Sequence, residues 1–174
     1  MSLREIWSGC QTGADRGALE AAAACSIPTG GWVPLNNRQQ DGRRTDLIKL
    51  FGLKETNSEG YRERTILNVR DTDGTLWIGN PGSPGGKLTC GEATRSKKPL
   101  LKVKYRGEFA MTNLNLLQCL AEEISVWVNC YEIARLNVAG NRENTNPGIQ
   151  EFTKNLIITV IQLVKEEPRH EQQG

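Results

Sequence analysis

Histidine is almost missing from this chain. Among its 174 residues there is 1 histidine, His170, set in the polar stretch Glu166-Glu167-Pro168-Arg169-His170-Glu171-Gln172-Gln173-Gly174. A histidine in a terminal tail is poorly placed for chemistry. Ser-His-Asp and Cys-His catalysis are therefore set aside, as are histidine-ligated metals. No CxxC pair occurs, and the 5 cysteines (Cys10, Cys25, Cys90, Cys119, Cys130) are odd in number and widely spaced. That argues against a disulfide framework and against structural zinc, and for a reducing cytoplasm. No run approaches the roughly eighteen apolar residues of a membrane span. The opening Met1-Ser2-Leu3-Arg4-Glu5 lacks the apolar core of a signal peptide. A net charge of +2 gives no electrostatic case for nucleic acid. The Walker lysine pattern and a true GxGxxG are both absent, which disfavours a nucleoside triphosphatase and an ordinary NAD enzyme.

What is present reads as a globular domain over residues 1–165, followed by a polar tail, 166–174, expected to be disordered. The 37% hydrophobic and 24% charged fractions suit a soluble protein with a real core. Short apolar runs predict strands near Glu5–Ser8, Ile27–Trp32, Thr75–Ile78, Leu100–Val103 and Leu136–Val138. Helical patterns are predicted near Gly13–Cys25, Glu59–Asp71, Gly86–Ser96, Asn113–Ala134 and Gly148–Val164. Alternation of the two predicts an α/β fold: a three-layer, Rossmann-like arrangement with a mostly parallel sheet flanked by helices. In such a sheet, ligands sit beyond the carboxyl ends of the strands. The apolar face of Asn113–Ala134 reads as a packing or subunit-interface surface.

The first of those strand ends is the most informative. Ile6-Trp7 is followed by Ser8-Gly9-Cys10-Gln11-Thr12-Gly13-Ala14-Asp15-Arg16 and then an alanine-rich helix. A glycine-bearing turn into a helix start presents unpaired N–H groups and the positive end of the helix dipole to an anion. Gly79-Asn80-Pro81-Gly82-Ser83-Pro84-Gly85-Gly86-Lys87-Leu88-Thr89 repeats the arrangement after the third strand, either as a second phosphate seat or as a plain turn. Arg16, Lys87 and Arg142 add positive charge. The stretch Val33–Gly52, with three arginines, reads as a long irregular loop, either covering a ligand or simply solvated. Asp71 and Asp73 fit a helix-to-strand turn better than a Mg²⁺ site. Cys10 reads better as a close-packed turn residue than as a nucleophile.

SGCQTGADRGAL, GGWVP, ETNSEGYRERTILNVRDTDGTL, GGKLT and LNVAGNRE with PGI occur in that order. Together they resemble the molybdenum cofactor carrier family, within the lysine-decarboxylase-like Rossmann superfamily. The resemblance implies a non-catalytic protein that binds, protects or stores molybdenum cofactor, a phosphate-bearing pterin dithiolene. It also implies a homo-oligomer, dimer or tetramer, serving cofactor-dependent enzymes or an insertase. Binding positions carried over on the motifs are Gly9, Gln11, Thr12, Gly13 and Arg16; Gly85, Gly86, Lys87 and Thr89; and Asn137, Gly140 and Arg142. Cys10 stands where the family commonly has glycine. With such a ligand, Trp32 could stack on the pterin, and equally on a nucleobase or on core side chains. Two alternatives come from the same superfamily or its ligands. One is a phosphoribohydrolase of the cytokinin-activating type, using Glu92 on a nucleoside monophosphate. The other is a sensor of a nucleotide derivative.

Overall fold

The structure is a computed structural model that describes residues 3–39 and 41–166. The elements run β1 (Glu5–Trp7), α1 (Ala14–Ala24), β2 (Thr29–Gly30), β3 (Trp32–Val33), a 3-10 turn (Leu35–Asn37), β4 (Arg38–Gln39), β5 (Gly42–Arg43) and α2 (Thr45–Phe51). They continue through β6 (Lys54–Glu55), α3 (Tyr61–Arg70), β7 (Gly74–Ile78), α4 (Pro84–Arg95), β8 (Leu100–Val103), α5 (Glu108–Thr112), α6 (Leu114–Cys130), β9 (Arg135–Gly140) and α7 (Ile149–Glu166). The main sheet has the order β2-β1-β9-β7-β8, and every pairing in it is parallel. This is the expected α/β, Rossmann-like architecture. Apart from Glu166, the polar tail lies outside the described residues.

Alternation along the two central strands creates the layers. Leu76 and Ile78 of β7 and Leu136 and Val138 of β9 enter the main core with Ala18 of α1, Ile124 of α6 and Phe152 of α7. Each of the larger side chains among these, taken out of water, contributes about 1.5–3 kcal/mol. The intervening Trp77 and Ala139 face the other way, onto Cys90 of α4. The helices α3 and α4 pack on each other on that second side. A buried stripe of Leu156, Ile157, Val160, Ile161 and Val164 fixes α7 against the core.

Three boundaries differ from expectation. The predicted strand Ile27–Trp32 breaks at Gly31, whose φ is 140°. A side chain there would run into the Ser8 carbonyl. The chain pivots, so β2 joins the main sheet while β3 leaves it to pair with β6. The stretch Val33–Gly52 is not irregular: it folds into the 3-10 turn, the β4–β5 hairpin and α2, with Leu47 and Phe51 buried beside Cys10 and Leu19. The predicted helix Asn113–Ala134 stops at Cys130. It begins at Leu114 because the Asn113 side chain caps it, accepting from the Leu116 N–H at 2.9 Å.

Candidate functional site

Numbered from β7 as the first strand and continued from β9 into β1, the sheet reads 2-1-3-4-5 across its width. The direction of winding therefore reverses between β7 and β9. A parallel sheet leaves a crevice at such a point, beyond its strand ends. Here a cleft of about 450 Å³ opens there, floored by Trp77, Ala139 and Gly140. That volume suits a ligand of cofactor size. Hollows of similar size on the outside of α3 (Arg62, Ile66, Arg70) and beside the α5–α6 corner (Phe109, Leu114) collect no strand ends.

One wall of the cleft is the start of α4. Ser83 caps the helix, its Oγ accepting from the Gly86 N–H at 3.2 Å. Pro84 follows and brings no N–H of its own. Gly85, next in line, keeps an N–H with no hydrogen-bond partner among the described residues and borders the cleft. Asn141, at the end of β9, ties this wall to the sheet, donating from Nδ2 to Ser83 Oγ at 3.2 Å and accepting from the Asn80 N–H. Beneath lies Trp77, 2% exposed, with its indole Nε1 lacking any hydrogen-bond partner among the described residues. A buried, unpaired donor costs on the order of 1–3 kcal/mol, so an acceptor supplied by a ligand is the natural complement.

The opposite wall is cationic. Arg64 of α3 donates to Asp15 at 3.1 Å, and the other Asp15 oxygen accepts from the Gly140 N–H at 3.1 Å. Both side chains are largely buried. Gly9 makes room for this pair, because a Cβ there would overlap the Arg64 guanidinium. Tyr61, the first residue of α3, lies under two guanidinium groups, with Arg142 at 5.2 Å and Arg64 at 5.8 Å from its ring centroid.

The predicted residues divide between this cleft and elsewhere. Gln11, Gly85, Thr89, Gly140 and Arg142 line it. Gly9 supports it from behind. The start of α1, expected to be an anion seat, is instead closed by the protein itself. The Thr12 N–H donates to Gln11 Oε1 at 3.1 Å, the Gly13 N–H to Gln150 Oε1 at 3.2 Å and the Ala14 N–H to the Asn141 carbonyl at 3.2 Å. Arg16 turns away and pairs with Asp41 at 2.9 Å and with Gln39, holding down the β4–β5 hairpin. Those contacts keep the Asp41 carboxyl below the usual carboxylate range. Cys10 is fully buried with φ 57° and accepts from Gln39 Nε2 at 3.5 Å. Burial pushes its thiol up to about 11, the opposite of an activated nucleophile.

The remaining predicted positions lie off the cleft. Trp32 donates its indole N–H to Asp71 at 2.7 Å and carries Lys54 on its ring. Asn137 is buried inside the sheet and donates to Thr75 Oγ1 at 3.2 Å. The Gly86 N–H is consumed by the cap, and Lys87 is exposed on α4 outside the lining. Glu92 is 1% exposed and engages Arg70 at 3.0 Å as well as Arg95, on the side of α4 that meets α3. It does not face the ligand space. Asp73 receives the Ala134 and Arg135 N–H groups, as a turn residue does. Asp15, Tyr61, Arg64, Trp77 and Asn141 all border the cleft without having been singled out. The one sequence signal for them is placement: each stands within a few residues of a strand end or a helix start.

Fold and cleft together define a doubly wound α/β domain in which β1 takes the fourth place of the 2-1-3-4-5 order. In agreement, residues 6–161 match the model of the circularly permutated YpsA SLOG family. The chain belongs to that family. It is also similar to the crystal structure of a "putative molybdenum carrier protein" from Syntrophus aciditrophicus SB, with 34% identity, 92% of this chain and 96% of that chain covered, and a TM-score of 0.81. No curated protein matches the chain. Among the described residues no helix is long and apolar enough to cross a membrane, and no group of three His, Cys, Asp or Glu is placed to hold a metal ion.

Proposed function

We propose that this protein binds the molybdenum cofactor, a phosphate-bearing pterin, in the β7–β9 cleft and holds it without chemical change. The observation that carries this reading is the buried indole N–H of Trp77, a residue that lines the cleft, which has no hydrogen-bond partner among the described residues. A donor-only group calls for an acceptor atom on the ligand. The Gly85 N–H and the guanidinium groups of Arg64 and Arg142 extend the same demand to an anion. The half-buried ring of Tyr61 suits a flat heterocycle. The solved relative named for molybdenum carriage supports the choice of cofactor.

The carboxylates support carriage over hydrolysis. Asp15 is the one acid lining the cleft among the described residues, and both its oxygens already accept hydrogen bonds. Glu92, the candidate acid of a phosphoribohydrolase, is committed to arginines on another face. In this reading the protein works in the cytoplasm as a homo-oligomer and passes its cargo to cofactor-dependent enzymes or to an insertase. The test is purification from cells that make the pterin cofactor, followed by oxidation and mass spectrometry of the released ligand. One pterin per chain is expected. A nucleotide in its place would favour the sensor, and release of free base from AMP would favour the hydrolase.

A further inference from the structure

Arg64 and Arg142 share Tyr61 but are held very differently. Arg64 is clamped by Asp15 and its side chain is 13% exposed. Arg142 is exposed, and its guanidinium has no ion pair or hydrogen bond among the described residues; its contact is with the Tyr61 ring. Tyr61 is fixed at one end of α3, its hydroxyl donating to the Arg38 carbonyl at 3.3 Å. Arg142 follows β9. The pair therefore spans the mouth of the cleft from two separate elements, and both residues line it. A cation resting on an aromatic face at an exposed site is held by only about 0.5–1 kcal/mol. An anion within reach of that guanidinium competes easily, since charge-assisted hydrogen bonds are stronger.

We infer that Tyr61 and Arg142 form a ligand-exchanged latch: the flat ring of the ligand replaces Arg142 on the Tyr61 face, and the freed Arg142 closes onto the ligand's anionic group. This rests on the proposed cleft function and narrows it to a conjugated heterocycle carrying an anion. Pterins and nucleobases share that chemistry, so the probes separate them.

The experiment is calorimetry with 6-hydroxymethylpterin, its phosphate ester, AMP and ribose 5-phosphate against wild type, Tyr61→Leu, Tyr61→Phe and Arg142→Ala. Urea midpoints confirm that each variant is folded. Tyr61→Leu is expected to weaken both pterins about tenfold, the scale of one lost stacking contact. Tyr61→Phe, which keeps the ring, should stay within about threefold of wild type for both. Ribose 5-phosphate, which has no ring, should bind Tyr61→Leu as well as it binds wild type. In Arg142→Ala the two pterins should part: the phosphate ester weakens about tenfold, while the uncharged pterin binds as well or better because the ring face is no longer covered. Equal weakening of all probes in Tyr61→Leu, or parallel loss of both pterins in Arg142→Ala, overturns the latch. If AMP binds and neither pterin does, the cofactor assignment fails, and AMP against ribose 5-phosphate still tests the latch. If wild type binds ribose 5-phosphate as tightly as every ring ligand, the latch fails and the anion cleft stands.

Discussion

Arg64 on α3 and Asp15 at the start of α1 meet at 3.1 Å, in a pair whose side chains are 13% and 5% exposed. Their contact joins three parts of the fold, since Asp15 also accepts the Gly140 N–H at the end of β9. In the proposed anion cleft, an unpaired acid would repel the ligand. Here the acid's charge is answered by Arg64, so it orients a cation instead.

Breaking that pair leaves a charge without its partner. Asp15→Asn is expected to lower stability by about 3–5 kcal/mol, the range for removing one member of a buried ion pair. Urea unfolding measures it. A loss below about 1 kcal/mol would mean that solvent already serves Arg64.

Gly9→Ala tests the same arginine from behind. The new methyl group takes the space of the Arg64 guanidinium, so Arg64 must leave Asp15. Ligand affinity and stability should fall together, and Arg64→Met should remove most of the affinity penalty in a double-mutant cycle. Independent, additive effects would place Arg64 elsewhere.

Arg16→Ala separates the first loop from the cleft. The guanidinium is engaged by Asp41 and Gln39, so affinity for a pterin phosphate should stay within about twofold of wild type. The hairpin should instead open, with faster amide exchange over residues 38–39 and 42–43. A tenfold loss of affinity with unchanged exchange would return the ligand to the start of α1.

Glu92→Gln follows the same logic on the far side of α4. Its carboxylate is buried between Arg70 and Arg95, and both arginines are mostly exposed, so the expected loss is modest, about 1–2 kcal/mol. Pterin-phosphate affinity should not change. Thermal unfolding and titration of the same preparation read both quantities.

Cys10 makes stability depend on alkaline pH. Burial raises its thiol from an ordinary 9.0 to about 11. Between those values the unfolded chain releases the proton while the folded chain keeps it, so stability falls as pH rises through that window. The loss is roughly 3 kcal/mol at most. It should vanish in Cys10→Ala, and in the native wild type Cys119 and Cys130, both exposed, should react with a thiol reagent first. Equal pH dependence in the two proteins would contradict this account.

The layers were legible in the sequence because β7 and β9 are short apolar runs between helical patterns, and that fixes a parallel sheet. The starts of α1 and α4 were legible as helix openings too. Which of the two stays open was not, because closing α1 needs Gln150 from the far end of the chain. The role of Arg16 was hidden for a similar reason, since its partner Asp41 belongs to a hairpin read as irregular. Trp77 was hidden by its neighbours: inside a run as apolar as Thr75–Ile78 an indole looks like core, and only the fold shows its N–H without a partner among the described residues. Arg64 and Tyr61 sat in a charged helix with no apolar periodicity to mark which face meets the cleft.

The most direct measurement is titration of 6-hydroxymethylpterin phosphate into wild type and Trp77→Phe side by side. The substitution keeps an aromatic ring and deletes the unpaired donor. One ligand per chain is expected, with binding roughly ten- to a hundredfold weaker in Trp77→Phe, for a hydrogen bond to a charged group worth ~1.5–3 kcal/mol. Equal affinity in the two proteins would contradict it.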